Sequence, residues 1–162
     1  MEENSFDAAF LSMVLGLVPN QSEVIAEIYR VVKPGGRIAL AAHGTEHNAE
    51  AVEATFRKVP KRYVLGYRIE FFPITENNLR KMLIHNGFTN VKTRRIMWKD
   101  NFESGSDLYN FFSATSSSWW NAKLPPNKIT TVANNTKGYL ERKGITQLSQ
   151  DVVLAFRNKS IN

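Results

Sequence analysis

The sequence has no cysteine. Disulfides, thiol nucleophiles and cysteine-built zinc sites are thereby excluded, and the composition fits a reducing compartment. Long apolar runs are missing too, since none approaches the ~18 residues of a membrane span. The opening MEENSFDAAF is acidic where a secretion signal is basic and then apolar. A cytoplasmic protein without membrane contact is expected, and the sequons at Asn20, Asn134 and Asn158 then carry no glycan. The nine glycines are scattered and no Gly-x-Gly occurs, so the 162 residues hold no glycine-rich nucleotide cradle. Positive charge is in excess, with 21 Lys and Arg against 15 Asp and Glu for a net +6, but it comes in ones and twos (RKVPKR, KTRR, ERK). With no aromatic-studded basic stripe this reads as solubility, and no nucleic-acid partner is expected.

What is present suits one domain with a core: 43% of the residues are hydrophobic and 22% charged. Phe6 to Met13, FDAAFLSM, reads as a strand buried on both faces. Asn20 then caps a helix, with Glu23 three residues on and Val24, Ile25, Ile28, Val31 and Val32 in one stripe. Pro34 forbids its continuation, Gly35 and Gly36 allow a reversal, and Arg37 to Ala42 forms a second apolar strand. A strand, helix, strand crossover of this kind joins parallel neighbours.

Thr45 to Val59 reads as a further helix and PKRYVLGYRIEFFPI as an aromatic connector. Thr75 caps a helix that stops at NGF, with Gly87 as left-handed cap and Phe88 folding back, and Thr89 to Trp98 is a strand. Helical stretches fill residues 99 to 150 before DVVLAFRNK closes the chain as the last strand. The expectation is an α/β fold with a mixed sheet of four main strands, ordered first, second, last, third, the last antiparallel, with helices on both faces. Residues 1–162 make one domain in this reading, with a helical insertion at about 99–150.

FDAAFLSMVLGLVPNQSEVIAEIYRVVKPGGRIALAA, LRKMLIHNGFTNV and DVVLAFRNK together resemble the carboxyl-terminal half of class I S-adenosylmethionine-dependent methyltransferases. HGTEHNAEAVEATF resembles the small-molecule subset related to ubiquinone and menaquinone biosynthesis. The resemblance implies a partial Rossmann-like sheet, S-adenosylmethionine as cofactor and a small-molecule methyl acceptor. It also implies that the glycine-rich loop and the ribose-binding acid belong before Ser5, where this sequence has no such residues. A truncated methyltransferase is therefore expected, inactive as an isolated monomer. By the same resemblance the first strand loses a neighbour and becomes an apolar edge, which a homodimer or a separate N-terminal half would cover. The alternative is a non-catalytic module that self-associates or binds a partner through that strand.

Site candidates follow from strand ends, because ligands of open α/β sheets lie at the carboxyl edge. The resemblance places Ser12 and Met13 toward the methionine end of the cofactor, although a strand end filling the core explains Met13 as well. His43 ends the second strand at the same edge and is the candidate general base, imidazole titrating near neutrality; a hydrogen-bonded strand-end histidine is the plainer account. HGTEH matches the inverted zinc-protease pattern, but Gly44 and Thr45 put a strand-to-helix junction between His43 and His47, so no metal site is assigned. Tyr63, Tyr67, Phe71, Phe72, Tyr109, Phe111, Phe112, Trp119 and Trp120 either line an acceptor pocket or pack a core. His85 reads as partly exposed near a helix end, and Asp107 and Asp151 as solvated or capping.

Overall fold

The computed structural model describes residues 1–58, 72–121 and 125–159, with side chains for all of these but 56–58 and 117–121. In chain order the elements are β1 (Phe6–Ser12), a 3-10 turn (Leu15–Leu17), α1 (Gln21–Val31), β2 (Val32–His43), α2 (Ala49–Lys58), α3 (Glu76–His85), β3 (Lys92–Asn101), α4 (Gly105–Asn121), α5 (Pro126–Lys143) and β4 (Gln147–Asn158). They build one four-stranded sheet in the order β1-β2-β4-β3, as the sequence predicts. β1 and β2 are parallel, and β4 is antiparallel to β2.

The local causes are legible at the helix ends. Asn20 accepts from the Glu23 N–H at 3.4 Å and opens α1, and Thr75 accepts from the Asn78 N–H at 3.2 Å and opens α3. Gly87, at φ +96°, ends α3, and the Phe88 N–H returns to the Leu83 carbonyl at 3.1 Å. Phe88 is thereby carried into the core, edge-on to Tyr29 with ring centroids 5.0 Å apart.

Lys33 to Gly36 behaves differently from the expected free turn. The chain becomes extended at Val32, and these four residues lie inside β2 as an irregularity: Phe6 pairs with Val32, but Ala8 pairs with Arg37. Asp7 alone spans the same step. Gly36 is required there, since a Cβ would sit 2.6 Å from Val32 Cγ1 and 2.9 Å from the Asp7 carbonyl. Lys159 clamps the region from the far end of the chain. Its backbone exchanges hydrogen bonds with Gly35 and Gly36. Its buried ammonium donates to Asn4 Oδ1, the Tyr29 carbonyl and the Val32 carbonyl at 2.8–2.9 Å, and lies 4.4 Å from the centre of the Tyr29 ring.

The chain divides into two compact units. The first comprises Met1–His47, Phe71–Met97 and Asp151–Asn162. In it Ile38, Leu40 and Ala42 of β2 and Val153 and Ala155 of β4 present one face to Ile25 of α1, Leu79 and Leu83 of α3, and Leu15, Ile74, Phe88 and Val91. Each large aliphatic side chain buried this way stabilises by about 1.5–3 kcal/mol relative to exposure. On the opposite face Phe10 and Phe156, both in register with Ala39, stay 73% and 51% exposed. The expectation of a first strand buried on both faces is thus not met. β1 is the edge of the sheet, and of its side chains Ala9 and Leu11 alone are half-buried.

The second unit comprises Asn48–Glu70 and Trp98–Gln150. Ala51 and Ala54 of α2, Leu108 and Phe112 of α4 and Leu140 of α5 pack with Leu148. Gly105 lets α4 approach α5 closely, because a Cβ there would lie 2.7–2.8 Å from atoms of Leu140 and Glu141. Ser104 and Asp107 cap α4 reciprocally: Ser104 Oγ accepts from the Asp107 N–H and donates to Asp107 Oδ2.

Candidate functional site

Because β1 and β2 run parallel, their carboxyl ends share an edge. Ser12 closes β1 opposite Ala41, with its side chain exposed. Met13 donates its N–H to the Ala41 carbonyl at 2.7 Å and takes φ +54°, which turns the chain away. His43 closes β2 opposite Val152 of β4, and its carbonyl accepts from the Ile74 N–H at 2.9 Å. The three sequence-predicted site residues therefore stand at one edge. The His43 side chain packs against His47, ring centroids 4.6 Å apart and edge to face. Burial, and secondarily the neighbouring His47, lower the His43 pKa from 6.5 to about 4. The ring is neutral at neutral pH and a weak base.

The turn from Gly44 to His47 is held by a residue that sequence reasoning set aside. Asp151 was expected to be solvated or capping, yet its side chain is 0% exposed. Its carboxylate accepts from Arg95 Nε at 2.8 Å, Arg95 Nη2 at 2.7 Å and the Glu46 N–H at 2.8 Å. Arg95, first among several influences, holds the Asp151 pKa below its ordinary value, and the guanidinium is in turn held above its own. The Asp151 carbonyl accepts from the Gly44 N–H at 2.8 Å, and a Cβ on Gly44 would run into the Asp151 carboxylate. Glycine at 44 is what lets the turn close onto β4. The strand period carried a usable signal, because Asp151 shares a face with Val153 and Ala155, which are buried. Residue 45 does not start a helix; α2 begins at Ala49, after Asn48 at φ +57°.

Beside this clamp lies a hollow of about 260 Å³, lined by Thr45, Ile74, Thr75, Glu76, Asn77 and Arg95. Three chain segments meet there: the turn after β2, the start of α3 and the first half of β3. None of these six was singled out as a site residue from sequence.

The remaining candidates separate clearly. His43 lies in β2 and His47 in the turn after it, so they do not share a helical face. His85 is the exposed last residue of α3. Asp107 caps α4, as expected. Phe112 and Tyr109 belong to the α2, α4 and α5 core, which favours the packing reading for that pair. Tyr63, Tyr67 and Phe71 lie outside the described residues, as do the side chains of Trp119 and Trp120.

Residues 1–40 match the family model of a methyltransferase domain. That segment contains β1, α1 and most of β2. No curated protein matches the chain. Among solved structures it resembles a Bacillus halodurans C-125 protein described as a methyltransferase, at 14% identity and a TM-score of 0.58, covering 99% of this chain and 72% of that one. Phosphoethanolamine N-methyltransferase 2 of Haemonchus contortus, solved with phosphomonomethylethanolamine and S-adenosylhomocysteine, is similar at 16% identity and a TM-score of 0.51 over 99% of this chain and 35% of its own. Loganic acid methyltransferase with S-adenosylhomocysteine is similar at 9% identity and a TM-score of 0.66 over 99% and 63%. The chain thus spans about a third of one relative's length and under two thirds of another's. At these identities the likeness is one of fold: the four-stranded sheet and its helices match the Rossmann-like fold of methyltransferases.

Proposed function

We propose that this chain is the carboxyl-terminal portion of an S-adenosylmethionine-dependent methyltransferase acting on a small molecule, of the ubiquinone and menaquinone biosynthesis type, and that it acts only when complemented. The observation that carries this reading is the methyltransferase-domain match over residues 1–40, which falls on the β1-α1-β2 unit of the sheet. The cofactor fits these residues in part. Ser12 offers an exposed hydroxyl and the turn at Met13 opens the edge, which suits the methionine end. Among the described residues near that edge, the Asp151 carboxylate is spent on Arg95 and Glu46, so it does not serve ribose hydroxyls. A glycine-rich loop occurs nowhere in the sequence.

When bound, the cofactor supplies a methyl group on a sulfonium that is already a good leaving group, so the protein's task is alignment. Ser12 and the Met13 backbone orient the cofactor. His43, neutral at working pH and at the same edge, flanks the place of the acceptor. The missing contacts come from an N-terminal half or from a second copy.

Calorimetric titration with S-adenosylhomocysteine tests this. The chain alone is expected to show no micromolar binding, and binding with methyl transfer is expected once a glycine-rich N-terminal half is supplied. A complemented protein that folds yet leaves the cofactor unbound overturns the reading. A second reading is a non-catalytic module that associates through β1, favoured by Phe6 and Phe10 at 42% and 73% exposure on the sheet edge. A strictly monomeric protein at micromolar concentration, measured by light scattering, removes it.

A further inference from the structure

We propose that the hollow bounded by Thr45, Ile74, Thr75, Glu76, Asn77 and Arg95 is a binding site for a small hydroxylated amine, held between the Glu76 carboxylate and the outward N–H groups of Arg95. Arg95 is preset for the role. Asp151, wholly buried, takes Nε and Nη2 in a two-point grip and fixes the plane of the guanidinium. A guanidinium has five N–H donors, so three remain for a ligand oxygen. A fixed fork of this kind loses little entropy when a ligand arrives.

Charge selects the other end of the ligand. The guanidinium is answered by three carboxylates, those of Asp151, Glu46 and Glu76, and the His47 ring also acts on Asp151. Asp151 is fully engaged and Glu76 lines the hollow, so a cation gains there although the whole chain carries +6. The hydroxyls of Thr45 and Thr75 and the Asn77 amide add donors and acceptors, and Ile74, 4% exposed, gives an apolar wall. Five polar or charged side chains converging beside one apolar wall suit a small polar ligand that is held by several directed contacts. Taken with the methyl-transfer reading the ligand is the acceptor, but the site itself does not depend on that reading.

The test uses three compounds of one size that differ in charge: 2-amino-1,3-propanediol, glycerol and glycerate. Each is titrated into the full chain without cofactor, followed by amide and Arg95 Nε shifts. The cation is expected to shift the signals of Thr45, Asn77 and Arg95 and to bind about tenfold more tightly than glycerol, with glycerate weakest. Glu76→Gln, a change of charge without change of size in the first turn of α3 that leaves the Asp151 grip intact, is expected to erase the preference for the cation. Shifts absent with all three at tens of millimolar, or a charge preference that survives Glu76→Gln, overturns the proposal. If the cation binds as stated while the complemented protein transfers no methyl group, the site stands and the methyl-transfer reading alone falls.

Discussion

Replacing Arg95 by alanine strands a carboxylate. In the native chain Asp151 has three N–H donors, two of them from Arg95; the variant leaves it the Glu46 N–H alone, in a side chain that is 0% exposed. Stranding a buried charge costs about 3–5 kcal/mol, and the lower end applies because the Arg95 side chain is 36% exposed and water reaches the pair. A loss of ~3 kcal/mol is a large part of the about 5–15 kcal/mol that holds a domain folded. Denaturant unfolding at neutral pH measures it, with amide exchange at Glu46 as the local readout. The pH dependence makes the argument specific. In the native chain Arg95 lowers the Asp151 pKa, so the pair's contribution is complete above the ordinary value of 3.8 and is lost as pH falls through the lower folded value. In the variant burial is opposed only by the Glu46 N–H and the neighbouring His47; where burial outweighs them the carboxyl takes up its proton at higher pH than in the unfolded chain, and the penalty shrinks as pH falls toward and below about 4. A gap of less than ~1 kcal/mol at neutral pH, or one that does not narrow on acidification, refutes the reasoning.

Gly44→Ala drives a methyl group into the Asp151 carboxylate, so a loss of about 1–3 kcal/mol is expected in thermal unfolding, with the Glu46 amide signal displaced. Lys159→Met removes the donor that serves the Tyr29 and Val32 carbonyls and is expected to cost about 1–3 kcal/mol, read in the same way; an unchanged melting temperature would mean that the clamp is idle. For His43 the folded pKa of about 4 lies below the ordinary 6.5, so the unfolded chain binds the proton first and stability declines as pH falls from 6.5 to 4. His43→Gln should flatten that part of the profile, and ring titration by NMR should give the low value directly; a ring titrating near 6.5 contradicts the burial argument.

The strand order was legible because it rests on local signals. Asn20, Pro34, Thr75 and Gly87 mark where helices begin or cannot continue, and a strand-helix-strand crossover has one favoured hand. Residues that meet across the fold were not legible. Arg95 and Asp151 are 56 positions apart, and Lys159 reaches Val32 across 127. Nothing in KTRRIM distinguishes Arg95 from the adjacent Arg94, since β3 is an edge strand on which both look like surface charge. Asp151 was within reach, because an acid on the face of Val153 and Ala155 cannot be solvated if that face is core, and it therefore needs a cation from a neighbouring strand. The shift of the α2 start from Thr45 to Ala49 follows from the same contact. Once Asp151 claims the Glu46 N–H, that amide and the turn around it are committed to β4 and not to a first helical turn.

β1 connects the fold to the function. Its register sets Ala9 and Leu11 beside Ile38 and Leu40 over the core, while Phe10 stands on the other face beside Ala39, with Phe156 one strand further. An edge strand with an apolar outer face both lacks backbone partners and leaves hydrocarbon in water, and natural edges are usually charged or bulged to avoid this. Here the charge and the irregularity are confined to the entry of the strand, at Asp7 and Lys33, and the exit toward Ser12 carries neither. The exit is also where Ser12 and Met13 share an edge with His43. A chain that covers β1 would therefore pair its backbone and bury Phe10 beside the edge where the proposed reading places the cofactor. On the proposed reading association and catalysis would be one requirement, so the state of β1 is the observation that separates the enzyme from the non-catalytic module.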